Sequence, residues 1–534
     1  MTLETQSGDA MPASPIDVPM TPLPEGRKPR RDDVFDCEVE SLLRRGGAKA
    51  RWGEYVIELR AGVPGEVLRC EVTKRRGQKI RARVVERLAE SPRAVEPRCA
   101  HFASCGGCSF QDSEYSLQLE QQYARLSELL QNLRTDNPFD LAPIVPAPDI
   151  FHYRNKMDFT FASARWIEDH EPEDTTRSLD FALGLHSPGR FDKVLDLSAC
   201  HIAFPEANEI LNAAREVALS MDLDPWNLRE NTGLLRHLVL RKGFRTGEVL
   251  AYLVTSKQEG ARPAIEAFAA ELVQRCPSLT TFVHGLRAAT SCVSLGEEDH
   301  VLHGPGVINE RLGGLDFEVS PRSFFQTNTF AAEKLFEIVA KEACPTKDEV
   351  VFDLYCGAGT IGLLMAPHCK EVWGFEKVED AVLDAVRNAD RNGVTNAKFF
   401  AGDVLVTASK EGLATIGAPR PDVVIVDPPR AGLHPGVTKF LGELAAPRLI
   451  YVSCNPKAAA VDLERLIALG YKVLHATPVD LFPHTPHLEC VFTLERDPNW
   501  AAPVSAVEAA SIPDNGEFVP PAGVKWTAPE GSNG

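Results

Sequence analysis

The 534-residue chain lacks any run that approaches the roughly 18 apolar residues needed to cross a membrane. Its first thirty residues have neither the apolar core of a signal peptide nor the Arg-rich, acid-poor composition of a transit peptide. Positive charge is also in deficit: 57 Lys and Arg face 75 Asp and Glu, for a net charge of −18. These absences argue against a membrane protein and a wholly basic nucleic-acid coat, and they predict a large cytoplasmic protein of several domains.

Cysteine is present but does not form the pattern of a secreted disulfide framework. Thirteen cysteines, an odd number, are spread over the long chain. Three of them fall within ten residues in CAHFASCGGC, residues 99–108. A reducing compartment makes metal binding or catalysis the better interpretation of this cluster.

The chain divides by pattern into three domains and two tails. We expect disordered tails over residues 1–31 and 499–534, which are rich in Pro, Ala, Gly and acids without periodicity. Short β-branched runs punctuated by Gly and Pro predict a small β-barrel over residues 32–90. A mixed α+β domain follows over 91–325. Alternating strands and helices then predict a doubly wound parallel sheet over 326–498, which binds ligands at the carboxyl ends of its strands.

Lys and Arg outnumber the acids in the last strands of the predicted barrel, residues 69–87. Such a surface could contact a phosphate backbone through charge alone. It could equally be an ordinary solvated strand face, and charge does not separate the two interpretations.

A glycine-rich turn in VFDLYCGAGTIG gives the best-defined ligand site. Gly357, Gly359 and Gly362 form a G-x-G-x-x-G motif that lets the backbone approach a ligand. Glu376 follows at about the offset of the acid that holds ribose hydroxyls in dinucleotide sites. A nicotinamide cofactor and S-adenosylmethionine both contain that ribose, so this motif alone leaves both open.

Chemically useful residues follow two later strands. DVVIVDPPR ends in Asp427, two prolines and Arg430, a rigid elbow that could hold a planar base or be an ordinary turn. RLIYVSCNP ends with Cys454, which is either a nucleophile or a small buried apolar residue. In HTPHLECV, Glu489 interrupts an apolar segment and is either a solvated edge residue or a general base with a raised pKa.

Together, SCNP, DPPR, FFQTNT and the C-x5-C-x2-C opening resemble the S-adenosylmethionine-dependent RNA uridine-5-methyltransferase family. The resemblance runs from about residue 32 to 497. It is strongest to the iron-sulfur branch typified by bacterial 23S rRNA 5-methyluridine enzymes. It implies a Rossmann-like methyltransferase domain, a central α+β domain with a cluster site and an OB-like TRAM barrel that binds RNA.

The resemblance also implies functional residues. A four-iron four-sulfur cluster would be held by four thiolates, although zinc accepts the same ligands: Cys99, Cys105, Cys108 and Cys200. Contacts to S-adenosylmethionine would come from six residues: Gln326, Tyr355, Thr360, Glu376, Asp403 and Asp427. Thr360 stands where some relatives have Asn.

The implied reaction transfers a methyl group to carbon 5 of a uridine, with Cys454 as nucleophile and Glu489 as the base. The implied substrate is 23S rRNA, with tRNA as the alternative, and we expect a monomer. Phe324 and Phe325 are either stacking partners for the base or, preferably, core residues, and Arg154 and Lys156 either contact RNA or form a structural network. The rival functions are a nicotinamide oxidoreductase and a non-catalytic RNA-binding iron-sulfur protein.

Overall fold

The computed structural model describes residues 21–24, 27–43, 46–168, 171 and 178–500. Most of both predicted tails, residues 1–20 and 501–534, therefore lies outside the described residues. Residues Met1–Arg496 and Asp497–Gly534 separate into two units by their internal contacts, and the sheets below belong to the first. In the described part of the chain, no helix combines the length and apolarity that a bilayer crossing requires.

The first five strands of the described chain form a closed barrel, as predicted. Its strands run in the order β1-β2-β3-β5-β4 and comprise β1 (Val34–Leu42), β2 (Ala48–Trp52), β3 (Tyr55–Leu59), β4 (Val67–Arg76) and β5 (Lys79–Ala89). Inside it, Phe35 stacks on Trp52 with ring centroids 4.2 Å apart. The Trp52 indole donates to the Thr21 carbonyl at 2.9 Å, and Leu23 packs against the barrel core. Part of the segment predicted as a tail thus packs on the barrel.

The central sheet has six strands in the order β12-β11-β10-β9-β7-β8. They are β7 (Lys156–Ala162), β8 (Ala182–Gly184), β9 (Leu235–Lys242), β10 (Val249–Ser256), β11 (Leu279–Arg287) and β12 (Glu298–His303). Helices α2 (Pro205–Ser220) and α3 (Arg262–Arg275) share a buried apolar cluster with these strands. This arrangement is the α+β layer that the mixed pattern predicted.

The C-terminal sheet has eight strands in the order β17-β16-β15-β18-β19-β21-β20-β6. They are β6 (Asp140–Leu141), β15 (Val350–Leu354), β16 (Glu371–Glu376), β17 (Ala397–Ala401), β18 (Val423–Val426), β19 (Arg448–Ser453), β20 (Tyr471–Val479) and β21 (Glu489–Arg496). Strands β15 to β19 are mutually parallel, whereas β21 runs antiparallel to β19. The carboxyl ends of the parallel strands therefore lie along one edge of the sheet, and the antiparallel strand β21 begins at that edge.

Helices and a hairpin complete the C-terminal layer. They are the hairpin β13 (Ile308–Leu312) and β14 (Leu315–Val319), α4 (Thr329–Ala343), α5 (Thr360–Met365), the 3₁₀ turn Ala366–His368, α6 (Glu379–Arg391), α7 (Val404–Thr407), α8 (Lys410–Ile416), α9 (Pro435–Leu444) and α10 (Pro456–Ala468).

Helix α1 (Tyr115–Asp136) lies in the stretch assigned to the central domain but packs elsewhere. Its buried Leu126, Leu130 and Leu133 belong to the apolar cluster of the C-terminal sheet. The short strand β6, which follows the helix, pairs with β20 at the edge of that sheet. Burial of an apolar helical stripe thus joins an early segment of the chain to its last domain.

Candidate active site

A pocket lies between the turn after β15 and the irregular segment of residues 320–328. Four of the six residues expected to contact S-adenosylmethionine line it together: Gln326, Tyr355, Thr360 and Asp427. The parallel strands β15 and β18 end at this pocket, which is the ligand position that a doubly wound sheet favours.

The glycine turn is shaped by positive backbone angles. Gly357 and Gly359 have φ of 54° and 80°, and Tyr355 itself has φ of 66°. A Cβ at Gly359 would stand 2.9 Å from the Phe399 ring, so a larger residue does not fit there. Only glycine adopts such angles without steric cost.

Asp353, in β15, is a site residue that our sequence reasoning missed. Its Oδ2 accepts from the Gly362 amide at 2.8 Å, while its buried Oδ1 has no hydrogen-bond partner. Burial raises the pKa of Asp353 to about 8. An acid two residues before the turn was the available signal, and its contact fixes the start of α5.

The other two expected cofactor residues lie beside the pocket. Glu376, the last residue of β16, accepts from the Gly357 amide at 3.1 Å and from the Val378 amide at 2.9 Å. Asp403 caps α7 and pairs with Lys377 at 3.0 Å, which lowers the pKa of Asp403. Both acids stand at the carboxyl ends of parallel strands, yet neither is among the residues that line the pocket.

The candidate nucleophile and base meet at the same sheet edge. Ser453 of β19 pairs with Cys490 of β21 in antiparallel register. The next positions toward the edge, Cys454 and Glu489, therefore lie opposite each other. Glu489 opens β21 and is buried, so the solvated-edge alternative does not apply.

The electrostatics of this pair follow from burial and from nearby charges. Burial raises the pKa of Cys454 to about 11, and the charges of Glu489 and Asp427 add to the shift. Burial, then the charge of Asp427, raises the pKa of Glu489 to about 8. Arg430 opposes both shifts. Burial also raises the pKa of Asp427 to about 7.

The proline elbow is tied to the cysteine loop. Asn455 donates from Nδ2 to the Arg430 carbonyl at 2.9 Å. This contact joins the ends of β18 and β19 and keeps the Arg430 backbone beside Cys454. Nothing local in the sequence pairs these two residues, which are 25 positions apart.

The two phenylalanines of the 320–328 segment differ in exposure. Phe325 is 8% exposed and belongs to the core, whereas Phe324 is 67% exposed, although both border the pocket at the end of β15. The core interpretation thus holds for Phe325 only. An exposed aromatic ring beside a ligand pocket is available for stacking.

The four clustered cysteines line one pocket with apolar walls that include Leu185, Leu197 and Ile202. The Gly107 amide donates to Cys105 Sγ at 3.3 Å, and Gln111 Nε2 donates to Cys108 Sγ at 3.2 Å. In the part of the chain that the structure describes, no group of three or more His, Cys, Asp or Glu is arranged so that it could hold a metal ion. The structure thus brings the four predicted thiols into one pocket without arranging them as a metal site.

Half of the eight cations in residues 69–87 form ion pairs within the described residues. Arg69 pairs with Asp36 at 3.0 Å and Arg87 with the buried Glu66 at 2.8 Å. At the β4–β5 turn, in contrast, three exposed cations make no ion pair or side-chain hydrogen bond within the described residues: Lys74, Arg76 and Lys79. Free positive charge is thus concentrated at that turn.

Known proteins resemble this chain over most of its length. A family model described as tRNA (Uracil-5-)-methyltransferase matches residues 307–497. An uncharacterized RNA methyltransferase of Chlorobaculum tepidum is 36% identical over 473 residues, covering 88% of this chain and 97% of that protein. One of Porphyromonas gingivalis is 36% identical over 472 residues, with coverage of 86% and 99%.

A solved structure that contains a bound ligand is also similar to this chain. The Pyrococcus abyssi tRNA (uracil-54, C5)-methyltransferase in complex with S-adenosyl-L-homocysteine is 28% identical, with a TM-score of 0.66. The match covers 86% of this chain and 99% of that one.

Proposed function

The chain belongs to the S-adenosylmethionine-dependent RNA (uracil-5-)-methyltransferase family, and from that premise we propose that it methylates carbon 5 of a 23S rRNA uridine through a covalent Cys454 adduct. The observation that carries the proposal is the β19–β21 register, which brings Cys454 beside the buried Glu489. Both stand at the sheet edge where Asp427 enters the cofactor pocket.

The adduct solves a problem of reactivity. Carbon 5 of uracil is a poor nucleophile, so the Cys454 thiolate adds to carbon 6 and the C5–C6 electron pair becomes an enolate. Carbon 5 then attacks the methyl carbon, and the bond from that methyl to the sulfonium sulfur breaks to leave S-adenosylhomocysteine. This route divides one difficult step into easier ones.

Glu489 completes the reaction. Its carboxylate takes the proton from carbon 5, the electrons restore the C5–C6 double bond, and the bond to Cys454 Sγ breaks to release a thiolate. A carboxyl whose pKa is raised to about 8 is a strong enough base for this step once it is ionised.

The cofactor pocket suits a cationic nucleoside. Gln326, Tyr355, Thr360 and Asp427 would contact S-adenosylmethionine, with Glu376 and Asp403 reaching it from the neighbouring strand ends. Acids around the pocket attract the positive sulfonium, and the attraction disappears when the neutral product forms.

The cysteine pocket fits a metal centre held by thiolates. Four sulfur donors share one apolar pocket, and two N–H groups point at the sulfurs, as around iron-sulfur clusters. We propose a four-iron four-sulfur cluster on Cys99, Cys105, Cys108 and Cys200. Zinc, which needs the four thiolates around one ion, is less favoured, because no such group of donors occurs among the described residues. In a cluster each thiolate binds a different iron atom, so the donors need not surround one ion. An anaerobically purified sample without iron, sulfide and visible absorbance would exclude the cluster.

RNA must present its uridine outside the base stack, because a stacked base hides carbons 5 and 6. Phe324, which is exposed beside the pocket, would stack on the extruded base. The barrel, similar to a TRAM domain, would hold the RNA backbone through Lys74, Arg76 and Lys79. A cytoplasmic location and a monomeric state remain predictions.

Transfer RNA is the second candidate substrate, because the similar Pyrococcus abyssi enzyme is a tRNA methyltransferase. The two are separated by transfer of labelled methyl from S-adenosylmethionine to separate unmodified 23S rRNA and tRNA pools, followed by nucleoside analysis. Labelled 5-methyluridine in 23S rRNA alone supports the proposal, whereas label in tRNA alone overturns the substrate and keeps the chemistry. Cys454→Ser should abolish transfer, and Cys292→Ser, at an exposed cysteine, should not.

A further inference from the structure

A buried asparagine stands between the cysteine pocket and the cofactor pocket. Asn155 is 5% exposed and precedes β7 in the segment FHYRNK. Its Nδ2 donates to the Gln326 carbonyl at 2.8 Å and to Thr329 Oγ1 at 2.9 Å. Its own amide donates to the Thr327 carbonyl at 2.8 Å. One residue thus holds the backbone on both sides of the Gln326–Thr327 bond.

Further buried hydrogen bonds hold Thr329, whose hydroxyl accepts from Asn155. The Thr329 hydroxyl donates to Glu310 Oε2 at 2.9 Å, and both residues are buried. Glu310 in turn accepts from the amides of Phe244 at 2.8 Å and Arg245 at 3.0 Å. The network therefore fixes Asn155 in place before any ligand binds.

The residues before Asn155 are attached to the cysteine pocket. The His152 amide donates to the His201 carbonyl and the Arg154 amide to the Ile202 carbonyl, each at 2.9 Å. These carbonyls directly follow Cys200. Continuous main-chain bonding therefore runs from Cys200 through residues 152–154 to Asn155.

The segment that Asn155 holds has no regular structure of its own. Residues 321–327 lie in neither a helix nor a strand, and Phe324, Phe325 and Gln326 from this segment line the cofactor pocket. A loop that contributes three pocket residues depends on side-chain anchors for its position.

We infer that Asn155 is a positioning residue that sets the Gln326 backbone at the cofactor pocket and links that pocket to the order of the cysteine pocket. The inference rests on the proposed function, since it takes the pocket lined by Gln326 as the S-adenosylmethionine site. It gives the cysteine-bearing loops a structural task in cofactor binding.

The test measures binding of S-adenosylmethionine to the full chain by calorimetry, with melting temperature, iron content and the KM for each substrate. Asn155→Ala should weaken cofactor binding roughly tenfold, the scale of one buried hydrogen bond. Asn155→Asp keeps the size but removes the Nδ2 donor, so it should weaken binding at least as much. The KM for S-adenosylmethionine should rise by more than the KM for RNA, whose stacking partner Phe324 lies on the same segment. A general loss of structure would not produce that difference.

The matched control is Asn396→Ala. Asn396 Nδ2 also donates to a main-chain carbonyl, that of Ala366 at 2.9 Å. It lies directly before β17, at the amino ends of the parallel strands, whereas the cofactor pocket lies at their carboxyl ends. It should lower the melting temperature comparably and leave cofactor binding intact. Equal loss of binding in the control, or wild-type binding by both Asn155 variants, overturns the inference.

A double substitution tests the link to the cysteine pocket. If Cys200→Ser weakens S-adenosylmethionine binding through Asn155, that loss of affinity should largely vanish when the protein also carries Asn155→Ala. Fully additive effects overturn the link. Absence of binding by the wild-type protein would instead overturn the proposed function, so the two failures are distinguishable.

Discussion

Replacing Glu489 should change how the reaction responds to pH. At pH 7, a carboxyl with a pKa of about 8 is ionised in about one molecule in ten. A thiol with a pKa of about 11 is ionised in about one in ten thousand. Because turnover uses both ionised groups, the logarithm of its rate should rise with a slope of about two below pH 8 and about one above it.

Glu489→Gln removes one titrating group and one negative charge. Turnover should fall by about 10²–10⁴, the usual contribution of a general base, and the methylated adduct should accumulate because carbon 5 keeps its proton. Formation of the adduct should rise with pH at a slope of about one. It should also begin at a lower pH than in the wild type, because the charge of Glu489 raises the pKa of Cys454.

The assay is a single turnover with labelled S-adenosylmethionine, in which denaturing electrophoresis separates the protein–RNA adduct from free RNA. Glu495→Gln is the matched control, since Glu495 lies on the same strand at its exposed end. Turnover of the Glu489→Gln variant at the wild-type rate, or a wild-type profile that stays flat from about pH 6 to 9, would refute the reasoning.

Three further changes are expected to separate the parts of the site. Substituting Lys74, Arg76 and Lys79 together by Gln should reduce the slope of log K for RNA binding against log salt concentration by about two. Each phosphate contact on a single strand contributes roughly 0.7 to that slope. An unchanged slope would place the RNA elsewhere. Phe324→Ala should weaken RNA binding by about 1–3 kcal/mol through lost stacking, and binding titrations that match the wild type would remove Phe324 from the base site. Arg430→Gln should move the rising limb of the pH–rate profile to higher pH, because the Arg430 charge lowers the pKa of both Cys454 and Glu489; a limb that stays in place would contradict that electrostatic role.

Sequence pattern predicted the parts of the fold that depend on local periodicity. The alternation after residue 345 predicted the parallel sheet, and strand-end motifs could be grouped because parallel strands end at one edge. Glu489 was found as an acid within an apolar segment. That it opens β21 opposite Cys454 depends on an antiparallel strand register, which the local pattern does not specify.

Long-range packing was not predictable in the same way. The apolar stripe of α1 would suit either sheet, so nothing local indicated that Leu126 and Leu130 pack on the C-terminal sheet. Asn155 likewise contacts Gln326, 171 positions away, through a single amide group. Such contacts depend on how two layers meet, and no periodicity along the chain records them.

The most direct test of the central claim uses RNA that carries 5-fluorouridine at the target site. Fluorine cannot leave carbon 5 as a proton does, so the reaction stops after methyl transfer. We expect a stable protein–RNA complex whose mass includes one added methyl group, with the RNA attached to Cys454 in the mapped peptide. Methyl transfer without a complex, or attachment to any other residue, would contradict the mechanism.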